Sequence, residues 1–278
     1  KLGINRMFDF ITDDSFDIEK TKQYILSIQV SLDGFSVLII QPSEKRIIAS
    51  KSTPLKISSE NLLARRLKEW LESEELLKKP FESVRLFILT ENFTLVPEEY
   101  FGDDWHQDLT SMLFQENAGN KIIENKIERL NALLIFLIPA EIIDVLHLFF
   151  HENLEIIHPV TKLLQTPVKS KKRNSAVIIS TGKYFFMTVT RNNKLLLANS
   201  FQTAHQNDLV YNVLNTFQQL ETARSETDLY VAGSITQNTE IEDLLKPYFE
   251  NIGKLKTEGL ITNPEITNQS LQLYLTLI

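Results

Sequence analysis

The 278-residue sequence contains no cysteine. Disulfides, thiolate nucleophiles and thiolate metal sites are excluded together, and a reducing cytoplasm is the compartment this composition suits. Glycine is scarce too, with eight in the chain, about 3% against the usual ~7%. Loops that press backbone N–H groups against a pyrophosphate need several glycines close together. No GxGxxG, GxxxxGKS/T or GxSxG run occurs. The apolar stretch Ala132–Ala140 includes Pro139 and falls well short of the roughly 20 residues of a membrane helix. Positive charge is in deficit, with 29 Lys and Arg against 36 Asp and Glu and a net charge of −7. Nucleic acid and anionic lipid are therefore disfavoured partners. The N-terminus lacks a basic-then-apolar leader pattern. Asp9, Asp13, Asp14, Asp17 and Glu19 make it an acidic arm, expected to be a partly ordered tail.

Apolar residues make up 43% and charged residues 23% of the chain, the balance of a folded protein long enough for two cores. Tyr24–Val30, Phe35–Gln41 and Arg46–Lys51 read as three strands. Ser31-Leu32-Asp33-Gly34 joins the first two, and Asp-Gly between such runs is a strong hairpin signal because it supplies φ > 0. Ala176–Ser180, Tyr184–Thr190 and Leu195–Asn199 repeat the meander around Thr181-Gly182-Lys183. Gly182 lies 148 positions after Gly34, and the same offset sets Val37–Ile39 on Phe185–Met187 and Ile47–Ala49 on Leu195–Leu197 without a gap. In each copy a helix follows. Leu62, Leu63, Leu67, Trp70 and Leu71 mark the first, with Ser58 or Ser59 as N-cap. Val210, Val213, Leu214, Phe217 and Leu220 mark the second, with Asn207 or Asp208 as N-cap. A strand closes each unit, at Val84–Thr90 and at Asp228–Ala232.

The first half continues with a helix at Asp103–Gln115, strands at Lys121–Leu130 and Leu133–Ile138, and a helix at Pro139–Phe150. Strand Leu154–Ile157 and helix Pro159–Gln165 then lead to a join at Thr166–Asn174. The second half adds a helix at Thr239–Tyr248, a strand near Ile252–Lys256 and an apolar Leu271–Ile278. The division expected is residues 1–168, an N-terminal half with the acidic arm, and 169–278, a C-terminal half.

This twice-repeated strand–strand–strand–helix–strand order resembles the actin-like ATPase fold shared by actin, the Hsp70 ATPase domain and sugar kinases. More narrowly, the chain is similar to an uncharacterised bacterial domain-of-unknown-function family with that fold. The resemblance implies an α/β, ribonuclease H-like, duplicated architecture of two βββαβα-type halves facing a cleft. It further implies that the hairpin backbones hold phosphates, and that an Asp two residues before each hairpin glycine organises metal or water. Here Leu32 and Ser180 stand at those places. Where the fold carries an adenosine-binding glycine pair, Val231-Ala232-Gly233-Ser234 keeps one glycine. Asp33, Gly34, Thr181, Gly182, Lys183, Gly233 and Ser234 are thus the candidate residues of a degenerate nucleotide cleft. ATP with Mg²⁺ is not the expected cofactor, because phosphoryl transfer needs a metal anchor that neither hairpin offers. The function expected is a non-catalytic, pseudo-ATPase scaffold or partner-binding module, with a protein partner or a second copy as its ligand. The alternative is a nucleotide- or small-molecule-binding ATPase or kinase working through non-standard residues such as Asp33, Ser180, Thr181 and Ser234.

Other patterns carry less. Asp144, His147 and His151 share a helical face, with Glu152 and His158 close by; zinc or iron could use such a set, but no HExxH frames it, and a wet helix face is the expectation. Lys169–Arg173 concentrates positive charge without an aromatic residue among it, which favours a solvated linker over a nucleic-acid site. Glu91-Asn92, Glu98-Glu99 and Asp103-Asp104 supply carboxylates, and nothing selects one pair.

Overall fold

The computed structural model of the protein describes residues 4–7, 9–100, 119–150, 153–166, 168–181, 183–233, 239–255, 261 and 266. The sequence-predicted helix at Asp103–Gln115 and the segment Leu271–Ile278 lie outside them. In chain order the strands are β1 (Ile4–Met7), β2 (Phe10–Asp13), β3 (Ile25–Ser31), β4 (Gly34–Gln41), β5 (Arg46–Pro54), β6 (Ser83–Ile88), β7 (Phe93–Pro97), β8 (Asn120–Ile127), β9 (Ala132–Pro139) and β10 (Leu154–Ile157). They continue with β11 (Asn174–Ser180), β12 (Tyr184–Arg191), β13 (Lys194–Gln202), β14 (Thr227–Gly233) and β15 (Asn251–Lys254). The helices are α1 (Glu60–Ser73), α2 (Ala140–Phe149), α3 (Pro159–Gln165), α4 (Gln206–Gln219) and α5 (Thr239–Leu245).

Among the described residues the strands form three sheets. The first has the order β1-β2-β5-β4-β3-β6-β10, the second β13-β12-β11-β14-β15, and the third β7-β9-β8. Strands β5-β4-β3-β6-β10 and β13-β12-β11-β14-β15 therefore follow the same path. In both, the meander is antiparallel, and the two strands beyond it run parallel. Such parallel strands are covered on both faces, which explains why β3 and β11 read as near-continuous buried runs. The two hairpins differ in length. Ser31 pairs with Gly34, leaving two residues between them, whereas Ser180 pairs with Phe185, leaving four. A gapless offset of 148 thus cannot hold on both sides of the turn.

Gly34 shows why the first hairpin needs glycine. Its φ is +124°, and a Cβ there would meet Thr53 O at 2.3 Å and Leu55 N at 2.7 Å. The positive φ falls on the first residue of β4 and not on Leu32 or Asp33 at the tip.

One apolar cluster crosses from the first half into the second. Leu26, Ile28 and Val30 of β3, with Leu67 and Leu71 of α1, join Val177 and Ile179 of β11 and Tyr184 and Phe186 of β12. His158 lies at the crossing point, its ring centroid 4.7 Å from that of Phe93, 5.3 Å from Phe136 and 4.9 Å from Phe186. A second cluster fills the other face of the second sheet, where Ile178, Phe185 and Met187 meet Leu209, Val213 and Phe217 of α4.

Several expectations change. The acidic arm is no tail: β2 pairs with β5 through Ile11 and Thr12, and Phe10 is fully buried. Its acids have partners: Asp13 accepts from Ser15 N at 2.8 Å, Asp17 from Glu19 N at 3.0 Å, and Glu19 pairs with Lys79 at 3.5 Å. Lys169, Lys171 and Arg173 are exposed, but the join is anchored. Asp228 of β14 accepts hydrogen bonds from Ser170 Oγ (2.8 Å), Lys171 N (3.0 Å) and Lys172 N (3.3 Å). Lys172 Nζ reaches Glu250 at 2.7 Å. Strand β7 lies between Glu91-Asn92 and Glu98-Glu99, where no strand was expected, and β8 stops at Ile127 before a 3-10 turn whose end, Asn131, has φ +46°. Helix α4 is capped by His205, with Asp208 three residues in. Ile261 bridges to Arg46, and Ile266 packs under Leu38, Ile40 and Phe87, so these two C-terminal residues rest on the first sheet.

Candidate functional site

The cleft forms where the carboxyl ends of the parallel strands of both sheets meet, the usual place for a ligand in an open α/β sheet. A cavity of about 470 Å³ opens there. Leu32 at the tip of the first hairpin and Lys183 and Tyr184 of the second line it. Glu60, the first residue of α1, Glu91 after β6, Gln202-Thr203-Ala204 at and beyond the end of β13, and Asp208 in the first turn of α4 complete the wall.

The two helix N-termini facing this space each carry their own carboxylate. Asp208 accepts from Ala204 N at 2.9 Å and His205 N at 2.8 Å. These bonds hold its carboxyl below the usual range. Glu60 is pushed the other way, first by desolvation in the wall and second by the charge of Glu91. Glu91 receives both its carboxylate contacts from Gln202 Nε2, at 3.1 Å each. Lys183 is the sole cation among the described lining residues, and its Nζ lies 3.4 Å from Ser58 O on the opposite half.

The base of the cleft is closed by bonds between the halves. Tyr184 Oη donates to Leu89 O at 2.7 Å, and Ser200 Oγ donates to Glu91 O at 2.7 Å. Below them His158 is fully buried, with Nε2 3.0 Å from Thr90 O and Nδ1 accepting from Val160 N at 3.3 Å. The partners require a neutral ring protonated on Nε2. Burial, opposed only weakly by the Thr90 bond, lowers its pKa to about 4.

Of the sequence-predicted residues, Lys183 lines the cavity; Asp33, Gly34, Thr181 and Gly233 border the strand ends without lining it. The Thr181 hydroxyl is engaged in the turn, donating to Tyr184 O at 2.8 Å and accepting from Lys183 N at 3.2 Å. Ser180 and Gly233 are register partners at the ends of β11 and β14. Gly182 and Ser234 lie outside the described residues. Sequence reasoning missed Glu60, Gln202, Thr203 and Ala204. A signal for the carboxylates was present, since Asp208 stands 148 positions after Glu60, the same offset as the two hairpin glycines.

Of the metal alternative, Asp144 and His147 lie on α2. Helix α2 ends at Phe149, His151 and Glu152 lie outside the described residues, and His158 is enclosed by phenylalanines. Among the described residues no three His, Asp or Glu side chains are grouped to hold a metal ion.

Residues 13–252 match the model of DUF3822, a family described as a protein of unknown function. The chain belongs to that family. Among solved structures, this DUF3822 member is similar to a Bacteroides thetaiotaomicron protein with an actin-like ATPase fold and unknown function. The two share 23% identity and a TM-score of 0.75, over 94% of this chain and 98% of that one. It is also similar to a chain of the PilM–PilN type IV pilus biogenesis complex, at 10% identity and TM-score 0.62, over 92% and 97% of the two chains. No curated protein matches the chain significantly. The DUF3822 protein thus has the actin-like fold, and no helix among its described residues is long and apolar enough to cross a membrane.

Proposed function

We propose that this DUF3822 protein is a non-catalytic actin-like scaffold or partner-binding module. The observation that carries the reading is the chemistry of the cleft wall. A nucleotide phosphate chain needs cations and free N–H groups, yet three carboxylates here face one ammonium. The α4 terminus, which would attract phosphate, is already served by Asp208. A Mg²⁺ ion fares no better. Asp208 is held by backbone N–H groups, Glu91 by Gln202, and burial and then the charge of Glu91 raise the Glu60 carboxyl. Among the described residues the lining therefore suits ATP with Mg²⁺ poorly. The likeness to a pilus-assembly complex chain supports a protein partner. Halves at residues 1–168 and 169–278, and a cytoplasmic setting consistent with a cysteine-free chain, belong to the same reading.

A second reading, a ligand-responsive ATPase or kinase, draws on the cavity itself and on Gly233, which keeps φ +83° at the end of β14. Thermal-shift and phosphate-release assays with millimolar ATP, ADP and Mg²⁺ separate the two. No shift in Tm and no turnover are expected. Turnover abolished by Lys183→Ala would overturn the scaffold reading.

A further inference from the structure

A larger groove, about 920 Å³, lies between the C-terminal part of α4, the 3-10 turn Arg224–Glu226 and the segment following α5. Leu214 and Phe217 contribute its apolar side, and Tyr211 and Tyr248 stand at 67% and 42% exposure. Tyrosine is enriched at protein contact surfaces, and these two rings stand on adjoining elements.

The groove also holds a cation. The Arg224 guanidinium carbon lies over the Tyr248 ring, 5.4 Å from its centre, and the group forms no ion pair among the described residues. Neighbouring acceptors are already taken: Arg191 Nη2 bonds Leu220 O at 2.8 Å and Glu221 O at 3.1 Å, and Lys172 Nζ bonds Ser225 O at 2.6 Å. An arginine placed over an aromatic ring, with no ion pair among the described residues, suits bidentate recognition of a carboxylate. Asn215 and Gln218 add amide donors along the helix. Glu221, exposed on the rim, repels a second acid.

We propose that this groove binds an extended segment of a partner protein, setting an aliphatic side chain against Leu214 and Tyr248 and one carboxylate on Arg224. This deepens the scaffold reading, and rests on it, by naming the docking surface and the chemistry it selects. The test pans a phage-displayed random dodecapeptide library on the full chain. Selected peptides are then titrated by fluorescence anisotropy against the wild type, Arg224→Gln, Tyr248→Ala and the cleft variant Lys183→Ala. Selected sequences should share a single Asp or Glu beside Leu, Ile, Val or Met. Their binding should weaken about tenfold or more with Arg224→Gln, as for loss of a charge-assisted bond, and fall with Tyr248→Ala. Lys183→Ala should change it less than about twofold. Failure to enrich acid-bearing peptides, or binding indifferent to Arg224→Gln, overturns the proposal. So does a dimer of the chain that Arg224→Gln dissolves, since the occupant would then be a second copy. Nucleotide turnover in the cleft would refute the scaffold reading alone and leave the peptide result standing.

Discussion

Acidification should weaken this fold through one side chain. His158 is fully buried among Phe93, Phe136 and Phe186, with both ring nitrogens engaged in roles that need the neutral form. Its pKa falls from 6.5 to about 4 on folding. Because the folded value is depressed, the unfolded chain binds more protons between those limits. The contribution is present above pH 6.5, declines as pH falls, and is gone below 4. The full gap of about 2.5 pH units corresponds to roughly 3 kcal/mol, of which about 2 kcal/mol is lost between pH 7 and pH 5. The measurement is urea unfolding at pH 7 and pH 5 for the wild type and for His158→Gln, which keeps an acceptor and a donor but cannot charge. Carboxylates elsewhere titrate in both proteins, so the difference between the two pH responses isolates the imidazole. The wild type should lose about 2 kcal/mol more than the variant. Equal losses would refute the assignment of a neutral, enclosed ring.

Two further substitutions probe other parts of the frame. Gly34→Ala forces a Cβ to within 2.3 Å of Thr53 O at φ +124°; a loss of about 2 kcal/mol or more is expected in urea unfolding, and an unchanged midpoint would show that the hairpin can relax. Burial acts to raise the Asp228 carboxyl, but hydrogen bonds from Ser170, Asn251, Lys171 and Lys172 outweigh it and hold it below the carboxylate norm. Asp228→Ala leaves those donors unserved, and should cost about 2 kcal/mol and speed proteolysis at Lys169–Arg173, read by limited trypsin digestion.

Local chemistry decided what could be read from the chain. The meanders were legible because β3, β4, β11 and β12 are runs rich in apolar and β-branched residues bounded by glycine or polar turns, and the actin-like fold followed from their order. The acidic arm misled because its aspartates serve as turn and cap acceptors beside a buried Phe10, and charge density alone does not separate that from a solvated tail. Strand β7 was hidden between Glu91 and Glu98-Glu99, where acids bracket a short Phe-Thr-Leu-Val run ending in proline. The cleft was half legible. Hairpin glycines point to its place, but its wall depends on residues such as Glu60 and Gln202, whose neighbourhood exists only after two distant segments have met. Even the matched offset concealed a hairpin two residues longer in the second sheet.

The apolar cluster that runs from β3 and α1 into β11 and β12 has a mechanical consequence. Swinging the halves apart would wet Tyr184, Phe186, Val177 and Ile179 together, at roughly 25 cal/mol for each Å² of apolar surface uncovered. It would also break the Tyr184–Leu89 and Ser200–Glu91 bonds. The two sheets are therefore welded, not hinged. Expressed as separate fragments, each would carry a raw hydrophobic flank. A push delivered to one sheet would arrive at the other with little loss, as along a strut.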